Sequence, residues 1–370
     1  MNIEELLVKS ILGLLSPDEE KALKTWIGAD PSHEAYFKKL RSRHNYSELY
    51  HAYRARQAKA APTSPRPWRR FMARAAMWMV PVLLAAGLWV GLHDRNHAPE
   101  EIVPGHAQAT LFLENGTSIN LTESKESGWI HIDDHLMATD GQGTLSYQNN
   151  HPALSKQTNR LATPRGGEYR IVLPDGTRVH LNSLSELQYP LAFDKEQRVV
   201  KLSGEAYFEI AKDPRRPFYV ETNGITIRQY GTRFNVNARS LHATTIALEE
   251  GSVGVITPEG TTQMMKPGEL ATWDGETNTL QLAQANLEPH TGWHRGRFIF
   301  DDEPLSKIME ALSLWYDIDV RFQDTRIAAQ RFTGNVGRYE DIHTILKGIE
   351  TIVNVECQIK GKQVRIMKKQ

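Results

Sequence analysis

The chain has 370 residues, a formal net charge of zero and a single cysteine, Cys357. One cysteine excludes an internal disulfide framework, so buried apolar area must stabilise the fold. The neutral total hides two different regions, because residues 1–74 contain 14 Lys and Arg against 8 Asp and Glu, whereas the remainder contains 30 against 36. A chain of this length is predicted to form several domains.

The first predicted elements are short helices in residues 1–60. Apolar residues recur at helical spacing in the first stretch, and Ser16-Pro17-Asp18-Glu19 has the pattern of a capping box with proline in the first turn. We expect a cytoplasmic bundle of three or four helices. Its apolar residues either are all internal core or also form a surface for a partner protein. The residues predicted to form or support this surface are Leu7, Ile11, Trp26, Ile27 and Phe37.

The next feature is an uncharged run of 18 residues, 75–92, which follows a basic linker over residues 61–74. As a helix it would extend about 27 Å, close to the thickness of the hydrocarbon core of a bilayer. The basic residues precede the run, which predicts one transmembrane helix with the N-terminus in the cytoplasm. They also favour contact with the membrane over direct binding of nucleic acid. A buried core helix is the alternative.

Beyond residue 92 the sequence predicts strands separated by turns. We expect a β-rich segment with a first hairpin over residues 93–160 and an all-β domain over residues 161–285. The stretches 109–121 and 169–181 are alike, with Asn115-Gly116 and Asp175-Gly176 at matching positions. Each pair predicts a tight hairpin turn in which both central residues have positive φ. The repeat leaves a sandwich, a barrel and a solenoid open.

The last predicted domain, residues 290–370, alternates strands and helices. Two βαβ-like halves would form one small sheet covered by two helices, and a hairpin at 355–367 would close it. The predicted fold class is therefore multidomain. It comprises an N-terminal all-α helical bundle, one transmembrane helix, an all-β domain of repeated hairpins and a C-terminal α+β domain.

No set of residues predicts an enzyme. His131 and His135 flank two aspartates, but on one strand they would lie about 13 Å apart, too far to share a metal ion unless the backbone turns. Cys357 lies in an apolar strand, where a buried and inert thiol is expected. We therefore expect no catalytic residues, no bound metal and no cofactor.

Six short blocks in the predicted all-β domain resemble the periplasmic domain of FecR-type anti-sigma factors. They are TPRGGEY at 163–169, LPDGT at 173–177, LNS at 181–183, YP at 189–190, GEAYF at 204–208 and GTRFNV at 231–236. The helical segment at 15–26 resembles the sigma-binding domain of that family. The C-terminal domain, through residues 300–305 and 332–334, is similar to the short domain shared by secretins and signalling TonB-dependent transporters.

The resemblance implies a regulator of nutrient-uptake genes that relays a signal across the inner membrane. An extracytoplasmic-function sigma factor would bind the cytoplasmic helical domain. The signalling domain of a TonB-dependent outer-membrane transporter would bind the periplasmic C-terminal part. Regulatory proteases would take part in the relay.

Two alternatives stay open at this point. Some FecR-type proteins resemble proteins that cleave themselves at a Gly-Thr bond, and Gly231-Thr232 occupies the matching motif. Against this, glycine permits a tight bend and threonine favours a strand, which gives both residues an ordinary structural role. The competing function is a membrane-anchored periplasmic module for adhesion or glycan binding. Such an anchor would not need the folded cytoplasmic domain that the capping box predicts.

Overall fold

The computed structural model describes residues 6, 7, 10, 16–30, 32–33, 101–122, 128–132, 135–139, 143–147, 157–229, 231–240 and 242–369. The chain divides into two compact units, Met1–Glu101 (unit 1) and Ile102–Gln370 (unit 2). Strand is the predominant secondary structure. The two units are described in turn.

The first unit contains helix α1, Pro17–Ala29. Its start is the predicted capping box: the Ser16 hydroxyl accepts a hydrogen bond from the Glu19 amide at 3.4 Å, and the Glu19 carboxylate accepts one from the Ser16 amide at 2.9 Å. Leu6, Leu7 and Leu23 form a small buried apolar cluster. The helix therefore carries one apolar side, as its sequence spacing predicts.

The predicted fold class is wrong: within the described residues neither an N-terminal helical bundle nor a transmembrane helix is found, and strand predominates over helix there. Among the described residues, no helix is both long and apolar enough to cross a membrane. The longest helix in that part of the chain, α1, has 13 residues and includes several charged ones, whereas a span needs about 20 mainly apolar residues. The run 75–92 lies outside the described residues.

Residues 102–285, called the β domain below, form two sheets whose strands are numbered in chain order. Most neighbouring strands are antiparallel. The first sheet contains, in spatial order, β2 (Ser118–Thr122), β1 (His106–Phe112), β6 (Thr158–Thr163), β9 (Ser185–Pro190), the first half of β10 (Arg198–Glu209), β11 (Phe218–Thr222), β12 (Ile225–Gln229), β15 (Val253–Ile256) and β16 (Thr262–Met265).

The second sheet continues from the second half of β10. In spatial order it contains β3 (Gly128–Ile132), β4 (His135–Thr139), β5 (Thr144–Tyr147), β7 (Gly167–Val172), β8 (Arg178–Leu181), β10, β13 (Arg233–Ala238), β14 (Ala243–Glu250), β17 (Glu269–Asp274) and β18 (Thr279–Gln284). Apolar side chains from strands of both sheets form one buried core, with Leu111 and Phe208 fully enclosed.

Strand β10 belongs to both sheets because it changes partners at Gly204. Its residues 201–203 pair with β9, whereas those from Gly204 onward pair with β13. Gly204 has φ of +93°, and a Cβ atom there would lie 2.6 Å from Cα of Ser185. Only glycine combines this backbone conformation with so close an approach, so it permits one strand to serve two sheets.

The two repeated hairpins form, but their turns differ from the predicted type. Asn115 and Asp175 do not have positive φ; the glycines that follow them do, at +88° and +84°. In each hairpin the glycine amide bonds to the carbonyl three residues earlier, that of Leu113 or Leu173. This is the longer loop in which a left-handed glycine follows an ordinary turn. The Asn and Asp side chains instead accept hydrogen bonds from the threonine amides that follow.

Residues 288–369 form the C-terminal domain, which has two sheets and not the predicted single one. Its elements are α2 (Glu288–Thr291), a 3₁₀ helix (Gly292–Arg295), β19 (Arg297–Pro304), α3 (Leu305–Trp315), β20 (Asp319–Phe322), α4 (Thr325–Ala328), β21 (Arg331–Gly337), α5 (Ile342–Val353), β22 (Val355–Lys360) and β23 (Gln363–Lys368). β19 pairs with β21, while β23 lies between β20 and β22. The predicted βαβ halves are wrong because periodicity defines each strand but not its partner.

The contribution of the buried Arg198 to the stability of the β domain can be measured. Its fully buried guanidinium donates to the Asp175 carboxylate at 2.7 Å and to the carbonyl oxygens of Ala211 and Arg216. We expect Arg198→Met to lower the free energy of unfolding by about 3–5 kcal/mol, because it leaves a buried carboxylate without its cation. Urea unfolding of the full chain, followed by tryptophan fluorescence, measures this cost. Arg215→Met, at an exposed position, is the control, and a loss below about 1 kcal/mol in Arg198→Met would contradict the prediction.

Candidate functional site: a polar interface between two domains

One face of the second sheet carries an unusual set of buried polar residues. Residues paired directly across neighbouring strands share a face, as do residues two apart in one strand. His180 pairs with Tyr207, and Tyr207 pairs with Asn235. By the same register this face, which is opposite the apolar core, also includes Glu168, Asn182 and Glu205, and all except Tyr207 are buried polar residues.

The C-terminal domain covers this face and inserts Arg338 into it. The guanidinium, with 1% of the residue exposed, donates to the Asn182 side-chain oxygen and lies 3.7 Å from a Glu168 oxygen. Its carbon atom is 3.7 Å from the centroid of the Trp315 ring. The adjacent Tyr339 hydroxyl donates to the other Glu168 oxygen at 2.7 Å. A charged group is thus buried against a carboxylate, an amide and an aromatic face.

Glu205 connects three other side chains of the same face. Its carboxylate accepts hydrogen bonds from Asn182 at 2.7 Å, from Asn235 at 3.0 Å and from Arg239. The Trp293 indole N–H then donates to the Asn235 side-chain oxygen at 3.0 Å. Because Trp293 lies in the 3₁₀ helix of the C-terminal domain, this bond crosses the interface.

A second arginine crosses the interface in the opposite direction. Arg165, in the loop before β7, donates to the Asp317 carboxylate at 2.7 Å and to the carbonyl oxygens of Ser313 and Ile318. Next to it, the Gly166 amide donates to the Leu314 carbonyl at 2.7 Å. These groups satisfy carbonyls at the C-terminal end of α3, which have no partner within the helix.

The proton affinities of the buried groups follow from their partners. Burial opposes ionisation of Glu168, but contacts with His180, Arg338 and the Tyr339 hydroxyl outweigh burial and lower its pKa to about 2. Burial lowers the pKa of His180, and its attraction to Glu168 offsets only part of that effect. Burial also lowers the pKa of Arg338 to about 10, so the guanidinium stays charged at neutral pH.

The residues predicted to bind a sigma factor lie in the first unit. Leu7 is buried, whereas Trp26 and Ile27 are partly exposed beside the same apolar cluster. The Trp26 ring also stacks on His33, with centroids 4.0 Å apart. Ile11 and Phe37 lie outside the described residues. Of the five, Trp26 and Ile27 are therefore the ones whose described positions give a partner direct access.

The other candidate residues gain no catalytic partners. His131 and His135 lie on strands β3 and β4, so the backbone does turn between them. Within the described part of the chain, no group of three or more His, Cys, Asp or Glu residues could hold a metal ion. Cys357 is half-buried, and burial together with Glu350 and Glu356 raises the pKa of its thiol to about 12. A thiol with so high a pKa is a poor nucleophile at neutral pH.

Four of the six blocks that carried the family resemblance meet at the interface, through Arg165 and Glu168, Asn182, Glu205 and Asn235. No role was predicted for them from the sequence, and Arg338, His180 and Trp293 were missed altogether. One signal was available: Glu168 and Glu205 are carboxylates next to aromatic and apolar residues within strands, where a charge needs a buried partner. The partner of Glu168, Arg338, is more than 150 residues away, whereas that of Glu205, Arg239, is 34 residues away, and both locations depend on the fold.

Gly231 and Thr232 precede β13. Gly231 has φ of +149°, and a Cβ atom there would lie 2.6 Å from Lys212. The buried Thr232 hydroxyl donates to the Gln229 side-chain oxygen at 3.1 Å, and the Gly231 amide donates to the same oxygen at 2.6 Å. An amide oxygen is too weak a base to take the hydroxyl proton, so this arrangement favours a structural role.

We expect the purified chain to remain uncleaved at this bond because Thr232 lacks a base among the contacts described. Gel electrophoresis and mass spectrometry of the native protein and of Thr232→Ala should show the same full-length species. A fragment that begins at Thr232 in the native protein and disappears in the variant would contradict this expectation and would establish self-cleavage.

The folded chain should lose stability as the pH falls below about 6.5. His180 is neutral when folded but takes up a proton when unfolded, so the unfolded state binds more protons and stability falls, by at most about 1.4 kcal/mol per pH unit for one histidine. Urea unfolding of the full chain at pH 7 and pH 5 measures the change. We expect His180→Gln to reduce this pH dependence and the control His106→Gln, on an exposed site of β1, to leave it unchanged. Equal pH dependence in all three proteins would contradict the assignment.

Comparison with known proteins identifies both domains. Residues 159–254 match the family described as FecR protein, and residues 297–366 match FecR, C-terminal. Two solved structures of a provisionally assigned anti-sigma factor from Parabacteroides distasonis ATCC 8503 have similar folds. One has 23% identity and a TM-score of 0.52 over 57% of this chain and 99% of that one. The other has 22% identity and a TM-score of 0.53 over 58% of this chain and 100% of that one.

No curated protein matches the chain. At these identities the solved structures show likeness of fold, whereas the two family matches fall in order along the sequence and on the domains that meet at Arg338. The resemblance noted from the sequence blocks is thereby confirmed: the chain contains a region that matches the FecR family, followed by a region that matches the FecR C-terminal family.

Proposed function

We propose that this protein is an anti-sigma factor that relays a signal from an outer-membrane TonB-dependent transporter to an extracytoplasmic-function sigma factor. The observation that carries the proposal is the ordered pair of family matches, FecR at 159–254 and FecR C-terminal at 297–366. The fold shared with a provisionally assigned anti-sigma factor supports the same regulatory class. The described interface also binds its charged groups to one another, which suits a binding protein better than an enzyme.

The sigma factor is proposed to bind the apolar side of α1. Leu23 anchors the helix in the cluster with Leu6 and Leu7, while Trp26 and Ile27 are only partly covered. Large apolar side chains beside a buried cluster are the groups that dominate helix-mediated binding. The opposite side carries exposed polar residues such as Lys21 and Thr25. A partner can therefore recognise one side of the helix.

The transporter's signalling domain is proposed to bind the C-terminal domain by adding a strand to an exposed sheet edge. β20 and β22 are the outer strands of the three-stranded sheet. On β22 the amide of Cys357 already donates to the Glu350 carboxylate at 2.7 Å. This bond occupies a backbone donor on β22, so β20 is the more available edge.

We also propose an inner-membrane location, with residues 1–60 in the cytoplasm and unit 2 in the periplasm. The support is the sequence itself, through the basic residues that precede the uncharged run 75–92. Alkaline phosphatase fused after residue 369 should be active, and the same enzyme fused after residue 60 should be inactive. The reverse pattern would contradict this orientation.

The proposal that a sigma factor binds α1 can be tested by comparing substitutions on the two sides of this helix. The full chain is co-expressed with each extracytoplasmic-function sigma factor of the source genome, and complexes are isolated by a tag on the chain. We expect Trp26→Ala and Ile27→Ala to weaken the complex at least tenfold, since each removes apolar area of a hot-spot size. Lys21→Ala, on the opposite, solvent-exposed side of α1, should bind as the native chain does. Absence of any bound sigma factor in the native chain would contradict the proposed function.

A further inference from the structure

We propose that the two arginines at the domain interface form a latch, in which Arg165 and Arg338 are released together in one step when the C-terminal domain separates from the β domain. Each arginine belongs to one domain and binds the other. Arg165 belongs to the β domain and binds the end of α3, whereas Arg338 belongs to the C-terminal domain and binds the second sheet. The latch is a property of this chain alone, and only its use in signalling rests on the proposed function.

The first argument is that the same short segments hold both arginines. Arg165 and Glu168 are separated by two glycines, so the partner of Arg338 and the other arginine lie in one short segment, at the end of a loop and the start of β7. On the opposite side, Trp315 and Asp317 are neighbours at the end of α3; Trp315 packs on Arg338, and Asp317 binds Arg165. Moving the end of α3 therefore disturbs both arginines at once.

The second argument is the closeness of the backbones between the two arginines. Gly166 bonds to Leu314 across the interface through its amide. A Cβ atom at Gly105 would lie 2.6 Å from the Trp315 ring, and one at Gly166 would lie 3.5 Å from the Trp315 carbonyl oxygen. Such closely packed contacts break abruptly on separation, because dispersion and hydrogen-bond energies fall steeply with distance.

The third argument is that the interface can open while most of each apolar core stays buried. The buried apolar residues form separate clusters, one within the β domain and one belonging mainly to the C-terminal domain. The residues between the two clusters at the latch are largely polar. They include Glu168, His180 and Arg338, and aromatic rings surround these three side chains. Separation would hydrate the charged groups and would uncover the rings of Trp293 and Trp315, but it would leave most of both cores buried, so an open state is accessible below the cost of unfolding.

The fourth argument concerns where the chain enters the second unit. Ile102 is buried within the apolar cluster of the C-terminal domain, although it precedes β1 of the β domain. Gly105, three residues later, lies against Trp315. The segment that leads from residue 101 into β1 thus passes directly through the latch. A protein that displaces the C-terminal domain would therefore alter the connection to the N-terminal part of the chain.

One amide reports on the latch directly, and a remote variant can test its cooperativity. The Gly166 N–H bonds across the interface, so it exchanges with solvent deuterium when the interface opens. Tyr339→Phe removes only the hydroxyl that binds Glu168 and leaves Arg165 and its partners unchanged. In the full chain, measured by mass spectrometry with residue-level fragmentation, we expect this variant to raise the exchange rate of the Gly166 amide at least threefold. Arg165→Met should raise it at least tenfold.

Two controls separate release of the latch from general loss of structure. Tyr219→Phe, on β11 of the first sheet, and Arg326→Met, an exposed arginine of the C-terminal domain with 89% of its side chain accessible, should leave Gly166 exchange unchanged. Amides within β12 and α5 should also stay protected in Tyr339→Phe. An unchanged Gly166 rate in Tyr339→Phe would show that the two arginine contacts break independently and would overturn the proposal. Because the measurement uses the chain alone, its outcome is separate from whether a sigma factor binds.

Discussion

The burial of the Arg338 guanidinium between two domains is the interaction on which the arrangement of the second unit depends. A charge removed from water is tolerated only with good hydrogen bonds and an opposite charge. Glu168 provides the charge, Asn182 the acceptor and Trp315 the aromatic face. Neither domain alone can provide this set, because two partners come from the second sheet and one from α3. The guanidinium therefore specifies how the two domains fit together.

The polar face that receives Arg338 depends in turn on strand β10. Its second half lies between β8 and β13, and this position aligns His180, Tyr207 and Asn235 in one row across three strands. Glu205 follows directly after Gly204, the residue at which β10 leaves the first sheet. The bend thus places a carboxylate beside this row, where it accepts hydrogen bonds from Asn182 and Asn235. The positive φ of Gly204 permits the bend in β10, and the bend in turn positions the buried Glu205 carboxylate.

Local features were predictable from the sequence, whereas the pairing of distant segments was not. The capping box at Ser16 and the C-terminal helices follow from periodicity and side-chain chemistry, which act over a few residues. The hairpin turns were placed correctly, but the type was wrong, because Asn-Gly and Asp-Gly fit two turns that differ in length by one residue. The assembly of β19–β23 into one sheet was wrong for a different reason. Strand patterns show which face is buried and do not show which strand lies alongside.

The interface could be predicted only in part for the same reason. Glu168 and Glu205 stand out as carboxylates in apolar strands, so a need for buried partners could have been inferred. Arg338 lies in a polar stretch between β21 and α5, where an arginine usually faces solvent. Its burial follows from the domain contact and from no local pattern. The family resemblance identified the correct blocks without indicating that several of them form one surface.

A polar interface between two apolar cores has a mechanical consequence that an apolar interface would lack. Separation of apolar surfaces exposes area to water at a cost that rises gradually with the area exposed. Separation at Arg338 instead removes several short-range contacts at once, and water can then solvate the freed charges. The barrier is therefore concentrated near the closed geometry, and the open state is less costly than exposure of a core. Such an interface holds the domains in one geometry under small displacements and yields under larger ones, which is the behaviour that a relay between two binding partners requires.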